Sequence, residues 1–125
     1  MTTVPVVAIV DDDVSVREAI GLLVRSFDFA VELYGSGRDL LSDTALDRIA
    51  CIITDIHMPV MNGFVLSDAL RARGFNMPII FMTAFAGEGY EERARESGAA
   101  CFLNKPFKDT DILRCLQNTL KLPPD

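Results

Sequence analysis

The chain is predicted to be an α/β protein: a doubly wound, five-stranded parallel sheet of flavodoxin-like order 2-1-3-4-5, with helices on both faces. Three observations predict this. Short apolar runs alternate with helical patterns five times, which implies parallel strands joined by right-handed crossovers. Four of the runs show no polar alternation, as strands covered on both faces do. The remaining run alternates, as an edge or half-exposed strand does.

Pro5-Val6-Val7-Ala8-Ile9-Val10 is the first buried strand, and it stops at Asp11-Asp12-Asp13. The helix after it carries Val16, Ile20, Leu23, Val24 and Phe27 on one stripe. Asp13, or Ser15 with Glu18 three residues on, can cap its start. Ala30-Val31-Glu32-Leu33-Tyr34 is the alternating strand and ends on Gly35. Ser36 and Asp39 then make a capping pair for a helix bearing Leu40 and Leu41.

The run Cys51-Ile52-Ile53-Thr54 ends on Asp55, ahead of His57, Met58 and Pro59. A loop through Asn62-Gly63 leads to a helix with Leu66, Ala69 and Leu70 inward, which Gly74 ends. Pro78-Ile79-Ile80-Phe81-Met82 is buried and stops at Thr83. Helix 88–97 is the weakest: glycines precede it, its apolar stripe is thin, and Glu91 with Arg95 is its one well-oriented ion pair. Sparse anchoring suits a mobile or partner-facing element. The last strand, Cys101-Phe102-Leu103, ends on Asn104-Lys105-Pro106. Asp109 is expected to cap a final helix bearing Ile112, Leu113, Leu116 and Leu120, which Leu122-Pro123-Pro124 stops.

The 125 residues suit one domain with a single core. A net charge of −6 argues against a nucleic-acid surface in this chain. No apolar stretch approaches the ~20 residues of a membrane span. Cys51, Cys101 and Cys115 are an odd count without metal-like spacing, read as core or half-buried thiols. With no signal peptide, they point to a reducing cytoplasm.

The buried strands end on Asp11/Asp12, Asp55, Thr83 and Lys105, so a parallel sheet gathers these groups on its carboxyl edge, where ligands bind. Two carboxylates 4 Å apart repel by roughly 4 kcal/mol at an effective dielectric of 20, and a cation is the natural relief. Oxygen donors alone favour Mg²⁺ over zinc. Lys105 supplies a point charge for an anionic phosphoryl group, and Thr83 supplies a hydroxyl. Carboxylate nucleophile, Mg²⁺, lysine and hydroxyl are the parts for phosphoryl transfer to an aspartate.

Taken together, Val10-Asp11-Asp12, Asp55 with Met58-Pro59 and Gly63, Thr83-Ala84, and Lys105-Pro106-Phe107 resemble the receiver domains of two-component response regulators. The resemblance covers essentially all 125 residues and looks most like the FixJ branch, whose members often carry a DNA-binding domain behind the receiver. It implies that Asp55 accepts a phosphoryl group from a sensor histidine kinase or phosphotransfer protein. Asp12 would bind Mg²⁺ directly and Asp11 through water, with Asp55 and the main-chain carbonyl of His57 as further ligands.

Lys105 would pair with the phosphoryl group, ahead of a cis peptide to Pro106. Thr83 and Phe102 would be the switch pair, and Gly63 a structural glycine. His57 and Phe85 occupy positions that tune phosphoryl lifetime, His57 being read as a solvent-facing loop residue. The face made by helix 88–97, the last strand and the last helix would bind a partner or a second copy. Residues 1–125 would be the receiver, with 121–125 starting a linker to an output, such as transcription, carried outside this chain.

Three rivals share the sheet. A Mg²⁺-dependent aspartyl-phosphate phosphatase of small substrates wants a second acid two residues after its nucleophile, where His57 stands. A flavodoxin-like FMN carrier wants a phosphate loop where three aspartates would repel phosphate. A degenerate receiver acting as scaffold would lack some of the acidic, hydroxyl and lysine positions that are all filled here.

Overall fold

The computed structural model describes residues 4–85 and 87–121. Its strands are β1 (Val6–Val10), β2 (Ala30–Tyr34), β3 (Ile49–Asp55), β4 (Ile79–Thr83) and β5 (Cys101–Asn104). Interleaved with them are α1 (Val14–Ser26), α2 (Gly37–Leu41), α3 (Gly63–Ala72), α4 (Tyr90–Glu96) and α5 (Asp109–Leu120). All strand pairs are parallel, in the order β2-β1-β3-β4-β5. This is the expected sheet, with the alternating strand at one edge. A 3-10 turn over Leu46–Arg48 precedes β3 and had no signature in the sequence.

The pleat sorts the central strands into two layers, because successive side chains point to opposite faces. Ala8, Val10, Ile52 and Phe81 pack with Phe64, Leu66 and Leu70 of α3 and with Ala94 of α4. Val7, Ile9, Ile53, Ile80 and Met82 pack on the other face with Ile20 and Val24 of α1 and with Ile112 and Leu116 of α5. β3 and β4 are covered on both sides and buried almost throughout. That is why their sequences show no alternation.

Helix starts follow local chemistry. Asp13, rather than Ser15, caps α1 by accepting from the Val16 N–H at 3.2 Å. Ser36 Oγ accepts from the Asp39 N–H at 3.1 Å, and Asn62 Oδ1 from the Val65 N–H at 2.9 Å. Asp109 does not cap α5 as expected: it is the first helical residue, and the Asp111 carboxylate reaches back to the Lys108 N–H at 2.9 Å. The expected stop at Leu122-Pro123-Pro124 lies outside the described residues.

α4 is shorter than the 88–97 read from the sequence, because Gly89 takes a left-handed φ of 80° before Tyr90 starts the helix. Only Ala94 of its residues is buried. The ion pair that closes best is Arg95 to Glu92, at 2.6 Å, ahead of the expected Glu91 at 3.8 Å. Arg93 instead lies over the Phe64 ring at 4.4 Å. One buried alanine, the half-buried Tyr90 ring, one cation–π contact and exposed ion pairs worth little each leave α4 thinly anchored among the described helices.

The cysteine reading needs correction. Cys101 and Cys115 are joined as a disulfide between β5 and α5, and only Cys51 is a free, buried thiol. The two side chains meet because Cys101 shares the pleat face of Leu103, while Cys115 lies on the buried side of α5 with Ile112 and Leu116. Two of the three cysteines that pointed to a reducing compartment are therefore not free thiols. No described helix is long and apolar enough to cross a membrane.

Candidate functional site

Strand register builds the site one step at a time. Val10 pairs with Thr54, so the next residues, Asp11 and Asp55, leave the sheet side by side. Asp55 pairs with Met82 and Thr83 with Asn104, which brings Thr83 and then Lys105 to the same edge. Asp11, Asp12 and Asp55 each offer a carboxylate oxygen, all within 4.8 Å of one another. The Lys105 ammonium stands 3.2 Å from Asp11 Oδ2 and 3.4 Å from Asp55 Oδ2. The residues singled out from strand ends thus converge.

Charge does not balance within this cluster. Carboxylates within 4.8 Å repel by roughly 3 kcal/mol or more per pair at an effective dielectric of about 20. Lys105 neutralises part of that for two of the three. Asp11 is fully buried and Asp55 nearly so, while Asp12 is exposed, leaving the cluster open to solvent on one side. Oxygen donors, surplus negative charge and an open side suit a hard divalent ion such as Mg²⁺.

The backbone around the acids is held in place. Asp11 Oδ1 accepts from the Asp13 N–H at 2.9 Å, and Arg17 Nη1 donates to the Asp11 carbonyl at 2.7 Å. Arg17 was not foreseen: it stands beside Val16 at the margin of the α1 stripe, where nothing distinguishes it from a solvated arginine. Gly63 is explained by proximity. A Cβ there would sit 2.7 Å from the Asp55 carbonyl oxygen and 3.2 Å from the Ile56 Cα. Glycine lets α3 start directly beneath the end of β3, with the Gly63 N–H bonded to the Ile56 carbonyl at 3.0 Å. The Lys105–Pro106 peptide is cis, as expected.

His57 is not the solvent-facing residue the sequence suggested. Its Nε2 lies 3.2 Å from Thr83 Oγ1, and its ring meets Phe85 and Tyr90 edge-on, with centroids 4.6 and 4.7 Å away. Thr83 Oγ1 also accepts from the Phe85 N–H at 3.0 Å. The hydroxyl is thus fully buried and bonded on the α4 side of the site. Phe102 is half-buried against the α3/α4 layer, and Phe85 is exposed.

Burial raises the pKa of Asp55; Lys105 opposes the shift and Asp11 adds to it. A carboxyl whose pKa is raised by folding binds its proton more tightly when folded. Its contribution to stability is therefore complete below the unfolded value of about 3.9 and is lost as pH rises through the folded value. Ionised Asp55 is thus a liability to the metal-free fold near neutral pH. Asp55→Asn is expected to raise the melting temperature at pH 7 in the presence of a chelator. The gain should shrink toward zero as pH falls below the ordinary carboxylate range, as thermal unfolding followed by circular dichroism would check.

The family model of the response regulator receiver domain matches residues 7–117. The response regulator protein TodT of Pseudomonas putida is 35% identical over 119 residues, covering 95% of this chain and 52% of TodT. The transcriptional regulatory protein FixJ of Azorhizobium caulinodans is 38% identical over 115 residues, covering 91% of this chain and 54% of FixJ. The chain spans about half the length of the curated relatives it matches. Among solved structures, FixJ-N superposes with a TM-score of 0.87 at 30% identity over 99% of both chains. The response regulator StyR gives 0.87 at 36% identity, covering 96% of this chain and 61% of StyR.

Proposed function

The chain belongs to the response regulator receiver domains, and from that premise we propose that Asp55 accepts a phosphoryl group from a sensor histidine kinase or phosphotransfer protein. The observation that carries this is the Lys105 ammonium, 3.4 Å from a nearly buried Asp55 carboxylate that two further acids flank. An Asp55 oxygen attacks phosphorus as the bond from phosphorus to the donor's imidazole nitrogen breaks, and the leaving nitrogen keeps the electron pair. Asp11, Asp12, Asp55 and the His57 main-chain carbonyl would hold Mg²⁺, which would supply charge neutralisation on the transferred oxygens when bound. Lys105 provides the same service from the protein. On this reading the chain is a signalling domain that catalyses only its own phosphorylation and dephosphorylation, in the cytoplasm.

The switch then runs through Thr83. A phosphoryl group on Asp55 offers acceptor oxygens, but the Thr83 hydroxyl is engaged with His57 and Phe85. To reach the phosphoryl group it must leave His57, whose ring contacts Tyr90 at the first turn of α4. Phe102 is the aromatic partner that turns inward. The weak anchoring of α4 makes the face of α4, β5 and α5 the responsive one, and a second copy of the chain is the partner we assign to it. Relatives such as FixJ and TdiR are transcriptional regulatory proteins by name, and control of transcription is the output we assign.

The test is incubation with Mg²⁺ and a small phosphodonor such as acetyl phosphate, read by intact mass. The expected result is the gain of one phosphoryl group, absent when a chelator is added. No gain, or a gain indifferent to the chelator, overturns the reading. Steady turnover of a simple phosphate ester would favour an aspartyl-phosphate phosphatase instead, although His57, engaged with Thr83, stands where such an enzyme needs its second acid.

A further inference from the structure

We propose that Cys101 and Cys115 form a thiol–disulfide redox site that sets how firmly α5 is held on β5. The bond joins the first residue of β5 to the middle of α5, 14 residues apart in sequence, with Cα atoms 5.9 Å from each other. Both cysteines lie in the apolar layer shared with α1, but they differ in access. Cys115 is 5% exposed. Cys101 is half-buried, and both cysteines help to line a surface groove with Phe102, Asp111, Arg114 and Asn118. Cys51 lies fully buried in β3, where burial pushes its thiol up to about 12. It carries no appreciable thiolate near neutral pH and does not compete in exchange. The disulfide borders the groove, and Cys101, the more exposed of its two residues, is the one we assign as the point of attack.

The exchange balances without any further reagent. A low-molecular-weight thiol attacks Cys101 Sγ as its thiolate; the Cys101–Cys115 bond breaks, and its electron pair leaves on Cys115 Sγ, which takes up a proton. A second small thiolate attacks the small-thiol sulfur of the mixed disulfide carried by Cys101; that S–S bond breaks, its electron pair leaves on Cys101 Sγ, which takes up a proton, and a small disulfide is released. Two small thiols are oxidised to one disulfide while the protein's disulfide is reduced to two thiols. A small disulfide drives the reverse.

Reduction would loosen α5 without detaching it, because Ile112 and Leu116 remain fully buried against the sheet. Cys101 directly precedes Phe102, whose ring packs in the opposite core layer and lines a second groove with Phe85, Tyr90 and Asn104. Tying Cys101 to α5 therefore constrains the backbone that carries Phe102. The consequence for signalling, a face that responds less freely when oxidised, rests on the functional reading above; the redox chemistry does not.

The test holds the purified chain in glutathione buffers of increasing reducing strength, quenches with iodoacetamide and reads intact and peptide masses. Cys101 and Cys115 are expected to become alkylated together over one transition, with Cys51 unlabelled in the absence of denaturant. Across the same transition, amide hydrogen exchange in α5 and β5 should speed up by about tenfold while β1 and β3 stay unchanged. Cys115→Ser should show the faster exchange in every buffer. Alkylation of both sites at every glutathione ratio, failure of thiol to open the bond, or identical exchange in the two forms overturns the proposal. No phosphodonor enters these measurements, so their outcome is separable from whether Asp55 is phosphorylated.

Discussion

Asp55→Asn is expected to abolish phosphoryl incorporation from a small phosphodonor while leaving the fold intact. Asparagine keeps the shape of the side chain, but its amide oxygen cannot serve as an anionic nucleophile. The neighbouring acids are poor substitutes. Asp11 is fully buried with one oxygen held by Lys105 and the other by the Asp13 N–H. Asp12 is exposed, and no Lys105 contact reaches it among the described residues. Peptide mapping after incubation should place the label on Asp55 in the natural chain and find incorporation at the detection limit in the variant. Equal incorporation in both would remove Asp55 from its role. A variant that melts earlier than the natural chain at neutral pH, against the expected rise, would show instead that the substitution had damaged the fold.

The groups that converge here were readable because each sits at a strand end, and strand ends in a parallel sheet share one edge. What no pattern could supply was the register. Val10 opposite Thr54 and Thr83 opposite Asn104 put four strand ends on one edge, with the Lys105 ammonium 3.2 Å from Asp11 and 3.4 Å from Asp55. The orientation of His57 is not legible in the sequence for a related reason. A loop residue has no periodicity to say which way it points, and its direction is set by Thr83, Phe85 and Tyr90, which lie 26 or more residues away in the chain. The disulfide was closer to legible, since Cys101 alternates with Leu103 and Cys115 sits within the Ile112/Leu116 stripe. Only the pairing of β5 with α5 brings them within bonding distance. The thin anchoring of α4 followed directly from its composition, whereas its start was set by the left-handed φ of Gly89.

Lys105→Met is expected to slow phosphoryl incorporation by about 10²–10³-fold, a loss typical of removing one positioned charge that stabilises a transition state. Methionine keeps most of the length and apolar stem and deletes only the ammonium, so packing next to Pro106 should change little. Two effects of the deletion oppose one another. With Lys105 gone, Asp11 and Asp55 lose their shared counter-charge, so the acidic cluster should hold a divalent cation at least as tightly as before. The phosphoryl oxygens, by contrast, lose the protein cation that stands beside Asp55 among the described residues, and the pKa of Asp55, already raised by burial, climbs further in metal-free solution. A calorimetric Mg²⁺ titration beside the incorporation assay separates the two. Undiminished Mg²⁺ binding with a hundredfold slower reaction assigns the loss to the ammonium. Weaker Mg²⁺ binding of the same size would mean that Lys105 acts by arranging the carboxylates, and an unchanged rate would mean that its closeness to Asp55 has no part in the chemistry.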